Sequence, residues 1–315
     1  MMVRMRCSRC GRREASILLR YSGEALCPSC FIRRLEARVR KAIGRYDMLG
    51  PKDRIAVALS GGKDSLTLLH LLHKVEEDFP YSELLAITVD EGIGAHRAEG
   101  MRAAGELCAR LGVEHVVVSF RELYGTTLPD ILEALRGERG ALDPCAYCGV
   151  LRRRALNDVA RELGADVIAV AHNLDDMIQA WLMNLLRNNL PRLVRFKPKT
   201  EAMHPGLVTR IRPLCLIPER ETAFYAYLHG FPGPRTPCPY ARRALRNELR
   251  IFLNRMEFRH PGAKFSLFRA FERLIPAVEA LLPRRELGEC ERCGGPSSGR
   301  ICKACEFLEE AGIIS

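Results

Sequence analysis

Between residues 54 and 214, five short apolar runs alternate with amphipathic stretches, and this alternation constrains the fold more than any other feature. The runs are RIAVALS (54–60), ELLAITVD (83–90), EHVVVSF (114–120), DVIAVA (166–171) and LVTRIRPL (207–214). Each has the length of a strand and is rich in β-branched or aliphatic residues. Stretches between them, such as LTLLHLLHKVEE, repeat their apolar residues at helical spacing. The pattern predicts buried strands in a parallel sheet wrapped by helices, an α/β fold. Ligands in such sheets bind beyond the C-terminal ends of the strands.

The loop after the first run is Ser60-Gly61-Gly62-Lys63-Asp64-Ser65. It matches neither the G-x-x-x-x-G-K-[ST] loop nor the dinucleotide G-x-G-x-x-G. Its chemistry is related nonetheless. Small residues let the backbone approach a phosphate, hydroxyls donate to it, and the N-terminus of the following helix favours its negative charge. A chance Gly-Gly turn would lack the strand before it, the helix after it and the lysine. A second strand runs into AHNLDDMIQ, bringing His172, Asp175 and Asp176 to a strand end. Carboxylates there suit Mg²⁺ binding or pyrophosphate orientation; taken alone, they are also an ordinary acidic first helical turn.

The thirteen cysteines fall into three groups and two singletons. Cys7, Cys10, Cys27 and Cys30 form C-x2-C-x16-C-x2-C, and Cys290, Cys293, Cys302 and Cys305 form C-x2-C-x8-C-x2-C. Each set supplies the two knuckles of a tetrahedral zinc site, with Gly11 or Gly294 beside the second cysteine to bend the chain. Disulfides are the alternative, but the basic start MMVRMRCSRCGRR has no apolar signal region, which predicts a reducing, cytoplasmic setting. Cys145 and Cys148, with the remote Cys238, do not close a four-sulfur site. They suit a 4Fe–4S cluster with one open iron, a redox pair plus a nucleophile, or a catalytic zinc. Cys108 and Cys215 read as buried core residues.

With 49 basic against 38 acidic residues the net charge is +11. Two four-cysteine zinc centres would lower it to about +7. The excess points to a polyanion such as nucleic acid, against the bland alternative of a solvated basic surface. Arg187, Arg192, Arg195, Lys197 and Lys199 flank a Pro-broken segment, while Arg242, Arg243, Arg246 and Arg250 recur at helical spacing. The apolar content of 47% suffices for a core, but no run reaches a membrane span.

SGGKDS after a strand, together with HNLDD after a later one, resembles the PP-loop of N-type ATP pyrophosphatases. The order of parts over nearly the whole chain is similar to the TtuA/NcsA group of tRNA 2-thiolation enzymes. The resemblance implies a Rossmann-like, adenine nucleotide alpha hydrolase-like ATPase domain flanked by N- and C-terminal zinc ribbons. It implies adenylation of a uridine C2 oxygen by Mg-ATP and replacement of that oxygen by sulfur. The implied ATP site comprises Ala58, Ser60, Gly61, Gly62, Lys63, Asp64, Ser65, Val89, Arg152, Ala171 and His172. The implied catalytic set is Asp64, Arg152, Asp176, Cys145, Cys148 and Cys238, the three cysteines ligating a 4Fe–4S cluster whose open iron holds hydrosulfide. A tRNA substrate, a ubiquitin-like thiocarboxylate sulfur donor and a homodimer follow from the same resemblance.

VDEGI (89–93), CGVLRRRALN (148–157) and HNLDDMIQAWLMNLLR (172–187) are more similar to the enzymes acting at wobble position 34 than to the TtuA type acting at position 54. Arg152 stands where a lysine is expected in the latter. Persulfide chemistry at Cys145 or Cys238 is the mechanistic alternative. A non-catalytic zinc-ribbon adaptor for nucleic acid, or a PP-loop ligase of a small substrate, are the functional ones. The expected units are a ribbon and linking helix (1–48), the ATPase/thiolase domain (49–240), a helical tRNA-binding segment (241–287) and a final ribbon (288–315).

Overall fold

A computed structural model describes residues 5–79, 81–138, 142–232, 236–240, 245–283 and 286–314. The chain opens with a two-stranded antiparallel ribbon, β1 (Ile17–Leu19) and β2 (Glu24–Leu26), followed by α1 (Pro28–Arg45). The central region runs β3 (Arg54–Ala58), α2 (Lys63–Glu76), β4 (Glu83–Asp90), α3 (Gly94–Leu111), β5 (Glu114–Ser119), α4 (Phe120–Tyr124), α5 (Leu128–Ala134) and α6 (Pro144–Glu162). It continues through β6 (Val167–Ala169), α7 (Leu174–Leu186), α8 (Leu190–Arg195), β7 (Lys199–Thr200), β8 (Thr209–Ile211) and α9 (Glu219–Leu228). Two helices, α10 (Leu245–Arg259) and α11 (Ala263–Ala280), precede a last small ribbon of β9 (Gly288–Glu289), β10 (Pro296–Ser297) and α12 (Lys303–Glu310).

Six strands form one sheet in the order β5-β4-β3-β6-β8-β7, parallel except for β7, which runs antiparallel to β8. The four expected strands from 54 to 171 are present, and the fifth is shortened to β8. Two details differ from the sequence-based expectation. β7 lies in the basic, Pro-broken stretch, where two residues have too little pattern to announce a strand. β5 is not buried, and Val117 is 48% exposed, because it is the sheet's edge strand with a neighbour on one side only.

The period of two along the strands sorts side chains onto two faces. Ile55, Val57, Ala86, Val167 and Ala169 join one core, built with α1, α2, α7, α9, α11 and the N-terminal ribbon. Ala56, Leu85, Ile87, Val89 and Ile168 join the other, built with α6 and the C-terminal ribbon. Each cysteine-rich end of the chain is thus packed against its own face of the sheet. No described helix is long and apolar enough to cross a membrane. Cys108 and Cys215 are buried core residues.

In the first core, the sole tryptophan, Trp181, is fully buried between Phe268 and Phe271, with centroids 5.1 and 5.0 Å away. Its indole N–H donates to the Phe196 carbonyl at 2.7 Å. Truncation there leaves both a cavity and an unpaired acceptor. Trp181→Ala is expected to cost ~3–5 kcal/mol of stability, read as a lowered urea midpoint by circular dichroism.

Candidate functional site

The strand order makes the site. From β3 the chain steps to β4 and β5 on one side, then returns to β6 and β8 on the other, so the sheet switches direction between β3 and β6. A crevice opens at the C-terminal ends of strands at such a point. SGGKDS follows β3 and HNLDD follows β6, so both segments line this crevice.

The loop is held by its own hydroxyls. Ser65 Oγ donates to the Gly62 carbonyl at 3.0 Å and accepts from the Ser60 N–H at 3.2 Å, and the Ser60 and Ser65 hydroxyls lie 3.0 Å apart. Gly61 has φ +77°, and a Cβ placed on it would stand 1.9 Å from the Gly100 carbonyl oxygen of α3. Gly100 is equally required, since a Cβ there would lie 2.6 Å from the Ser60 carbonyl. Helix α2 begins at Lys63, with Gly62 as its N-cap and no side chain covering it.

Lys63 Nζ lies 2.7 Å from Asp64 and 3.0 Å from Glu219 at the start of α9. Asp64 also accepts from the Thr222 hydroxyl and from Asn173 Nδ2 at 3.3 Å. Asp176 closes a capping box with Asn173 and pairs with Arg246 of α10 at 3.5 Å. Burial pushes the Asp176 carboxyl up to about 6, and Arg246 opposes that while Asp64 adds to it. Asp175 has a different job from its neighbour. It is buried, pairs with Lys264 of α11 and accepts the Glu219 N–H at 2.9 Å, which ties α7 to α9 and α11. His172 is held neutral, its pKa driven well down by burial and by Arg212, Arg246, Arg152 and Arg210, and its Nδ1 is buried without a partner. Ala58 ends β3, Val89 lies near the end of β4, and Ala171 immediately precedes His172.

A relay, buried at Arg97 and Glu91 and half-exposed at Arg152, joins this loop to the C-x-x-C helix. Arg97 of α3 donates to the Ser60 carbonyl at 3.2 Å and to the Val89 carbonyl, and pairs with Glu91 at 3.1 Å. The other Glu91 oxygen meets Arg152 of α6 at 3.3 Å. Arg152 is four residues, one helical turn, beyond Cys148. Gly92, at φ +77°, turns the chain so that a Cβ there would stand 2.7 Å from Thr127. Cys145 is exposed and Cys148 buried on the first turns of α6. Burial pushes the Cys148 thiol up to about 11 and raises Cys145 as well. Cys238 is close enough for its charge to act on both.

The donor sets differ in what they fit. Among the described residues, two groups of possible ligands have all their ligand atoms within 4.8 Å of one another: Cys7, Cys10, Cys27, Cys30 and Cys290, Cys293, Cys302, Cys305. Sulfurs about 3.8 Å apart are what a tetrahedral ion with ~2.3 Å Zn–S bonds needs. Cys10 and Cys27 are 4.0 Å apart, and Cys293 and Cys302 are 3.7 Å apart. The backbone N–H groups of Cys27, Cys10 and Arg9 outweigh burial and pull Cys7 down to about 6. At Cys290 burial opposes, but the N–H groups of Cys302, Cys293 and Arg292 outweigh it and reach about 6 as well. Cys145, Cys148 and Cys238 form no such tight group, so the trio suits a polynuclear cluster better than a single ion.

Of the basic residues read from the sequence as a tRNA surface, Arg242 and Arg243 lie outside the described residues. Arg246 pairs with Asp176 rather than standing on a free face, and Lys197 pairs with Glu279 at 2.5 Å. No pattern in the sequence marks Glu91, Arg97, Glu219 or Thr222. Glu219 and Glu221 look like ordinary acids in a first helical turn. Only folding brings Glu219 to Lys63, 156 positions away.

Two outcomes test this geometry. Gly61→Ala is expected to weaken ATP binding at least ~10-fold by calorimetry, because the loop must leave α3 to make room. In Mg²⁺-free protein, a ¹³C-carboxyl NMR titration should place Asp176 near pH 6, and Arg246→Gln should move it higher. With the folded value above the unfolded one, this group contributes stability at low pH that is lost as pH rises through about 6.

Residues 32–256 match the PP-loop domain family, and residues 6–32 match the N-terminal LIM domain of the 2-thiouridine synthetase TtuA. The tRNA 2-thiolation protein NcsA of Haloferax volcanii is 35% identical over 328 residues, covering 98% of this chain and 100% of that protein. A probable sulfurtransferase of Methanocaldococcus jannaschii is 35% identical over 305 residues, covering 96% and 87%. The cytoplasmic tRNA 2-thiolation protein 1 of Bos taurus is 36% identical over 304 residues, with the same coverages of 96% and 87%. The solved U34-tRNA thiolase NcsA of Methanococcus maripaludis, with its [4Fe-4S] cluster, superposes with a TM-score of 0.84 at 36% identity, covering 100% of this chain and 99% of that one. With a switch-point PP-loop and likeness along its full length, the chain belongs to the TtuA/NcsA group of PP-loop tRNA 2-thiolation enzymes.

Proposed function

We propose that this protein is an ATP-dependent tRNA-uridine 2-sulfurtransferase acting at wobble position 34, in the cytoplasm. The carrying observation is the Arg97–Glu91–Arg152 relay, which holds the phosphate-binding loop and the C-x-x-C helix on one crevice. The whole-length likeness to a U34-tRNA thiolase supports the choice of position.

A carbonyl oxygen is a poor leaving group. In the first step the uridine C2 oxygen bonds to the α-phosphorus of ATP, and the α–β bridging bond breaks to release pyrophosphate. In the second, sulfide bonds to C2 and the C–O bond breaks, so the oxygen departs in AMP. Lys63 meets the phosphates and neutralises charge as it redistributes, with Ser60, Gly61, Gly62 and Ser65 cradling them and the α2 N-terminus behind. Ala58, Val89, Ala171 and neutral His172 would line the nucleotide. Mg²⁺ keeps several waters and needs only one or two carboxylates besides phosphate, a role for Asp64 and Asp176. Arg152 faces the developing charge from the other wall.

Cys145, Cys148 and Cys238 would hold a 4Fe–4S cluster, which when bound supplies a metal site that keeps sulfide deprotonated and nucleophilic. Burial pushes the Cys148 thiol up to about 11 and raises Cys145. That disfavours a free thiolate at Cys145, one of the two cysteines of the persulfide route. The two four-cysteine sets would each hold Zn²⁺. A thiocarboxylate protein as sulfur donor, a homodimer, and the ribbon, ATPase, helical and ribbon units at 1–48, 49–240, 241–287 and 288–315 belong to the same proposal.

Unmodified tRNA incubated anaerobically with cluster-reconstituted protein, Mg-ATP and sulfide should gain one sulfur for oxygen at uridine 34 by nucleoside mapping. Gain at position 54 would keep the chemistry and overturn the position. No gain at any uridine would favour the non-catalytic adaptor. Lys63→Ala should lower tRNA-dependent AMP release by ~100-fold or more.

A further inference from the structure

The C-terminal cysteine set is built into the flank of the C-x-x-C helix at two points. The first lies between the two cysteines of that helix. Tyr147 is 1% exposed, and its ring centroid is 4.5 Å from that of Phe307 on α12. Its hydroxyl accepts the Leu142 N–H at 3.2 Å and donates to Glu310 at 3.4 Å. The second point is Arg154, two turns further along α6. Its Nη1 lies 3.5 Å from Cys293 Sγ and 4.0 Å from Cys302 Sγ, while its Nε pairs with Asp158. The guanidinium rests on Gly295, where a Cβ would stand 2.1 Å from Nη1.

Seven residues separate the two attachments, about 10 Å along the helix axis. Two anchors at that spacing fix both the height and the rotation of α6. Cys148 and Leu151 between them, and Ala155 just beyond, share a core with Cys290, Cys302, Cys305 and Leu308. Four thiolates around one Zn²⁺ carry a net charge of about −2, so a guanidinium donating to two of the sulfurs stabilises metal and helix together.

We infer that the C-terminal four-cysteine centre is a positioning element for the C-x-x-C site. A metal held by Cys290, Cys293, Cys302 and Cys305 fixes the ribbon, and Arg154 and Tyr147 pass that constraint to the turn presenting Cys145 and Cys148. Arg154 is a positioning residue and touches neither substrate nor nucleotide. The inference does not depend on the identity of the substrate, and its primary test uses protein without substrate or cluster.

Hydrogen exchange by mass spectrometry, on full-length zinc-loaded protein, follows peptides from the C-terminal ribbon, from 144–151, and from α2 as internal reference. Arg154→Met removes the cation. Gly295→Ala leaves the arginine but excludes its guanidinium. Both should raise exchange in the ribbon and in 144–151 by ~10-fold or more with α2 unchanged, and Arg154→Lys should restore much of the protection. After cluster loading, the electron paramagnetic resonance line shape of the reduced cluster should change in Arg154→Met and return toward wild type in Arg154→Lys. Loosening of the ribbon with 144–151 and the line shape unchanged overturns the inference, as does no change in either segment. Should α2 lose protection in the variants, chelation of wild-type protein decides. Exchange in 144–151 must then rise in step with the C-terminal ribbon, and failure to do so overturns the inference.

Discussion

Arg97 carries its charge into a place from which water is nearly excluded, so its position is set by the groups that compensate it. Those groups are the Glu91 carboxylate and the carbonyls of Ser60 and Val89. An isolated charge so buried would cost several kcal/mol, and removing one partner of a buried pair typically costs ~3–5 kcal/mol. The end of β4 and the phosphate-binding loop are therefore locked to one guanidinium, and Glu91 ties the middle of α6 to them through the half-exposed Arg152. The close approach of Gly61 and Gly100, one turn further along the same helix, reinforces this, because α3 can reach the loop only where both lack a Cβ. Desolvation thus sets the distance between the place where nucleotide phosphate would sit and the place where sulfur ligands gather.

The crevice carries its own stand-ins for missing charge. Lys63 is neutralised by Asp64 and Glu219, contacts that a phosphate bound as proposed would replace or share. Asp176 is poised between burial, which favours its neutral form, and Arg246, which favours the carboxylate. The guanidiniums of Arg212, Arg246, Arg152 and Arg210 gather close enough to His172 to help hold its pKa well down. Such a cluster favours an anion and disfavours cationic ligands.

The two ribbons are unequal partners of the sheet. The N-terminal one continues into α1 and shares the larger core with the ATPase helices, and its Tyr21 donates to Glu221 at 2.7 Å while Arg38 pairs with that residue. The C-terminal one packs on the opposite face, against the helix that bears Cys145 and Cys148. A small ribbon buries too little apolar surface to be stable alone, so the host helix completes what its own residues cannot, as a metal on its four cysteines would.

Local pattern and spacing determined a good deal by themselves. The strand–SGGKDS–helix unit, the parallel sheet and the two four-sulfur sets were legible because each depends on neighbours in sequence: a period of two or 3.6, a glycine turn, a pair of C-x-x-C knuckles. Even the assignment of Cys108 and Cys215 to the core followed from flanking apolar residues. The division of labour between Asp175 and Asp176 did not, because adjacent carboxylates in one helical turn look alike until α10 and α11 supply Arg246 to one and Lys264 to the other. Glu219, Thr222, Glu91 and Arg97 were hidden for the same reason, as was the grip of Arg154 on the last ribbon. Sequence determines which chemistry each segment carries. Which charges meet is decided by tertiary structure, since the energy of a buried ion pair depends on distance and desolvation, and neither exists before the chain has folded.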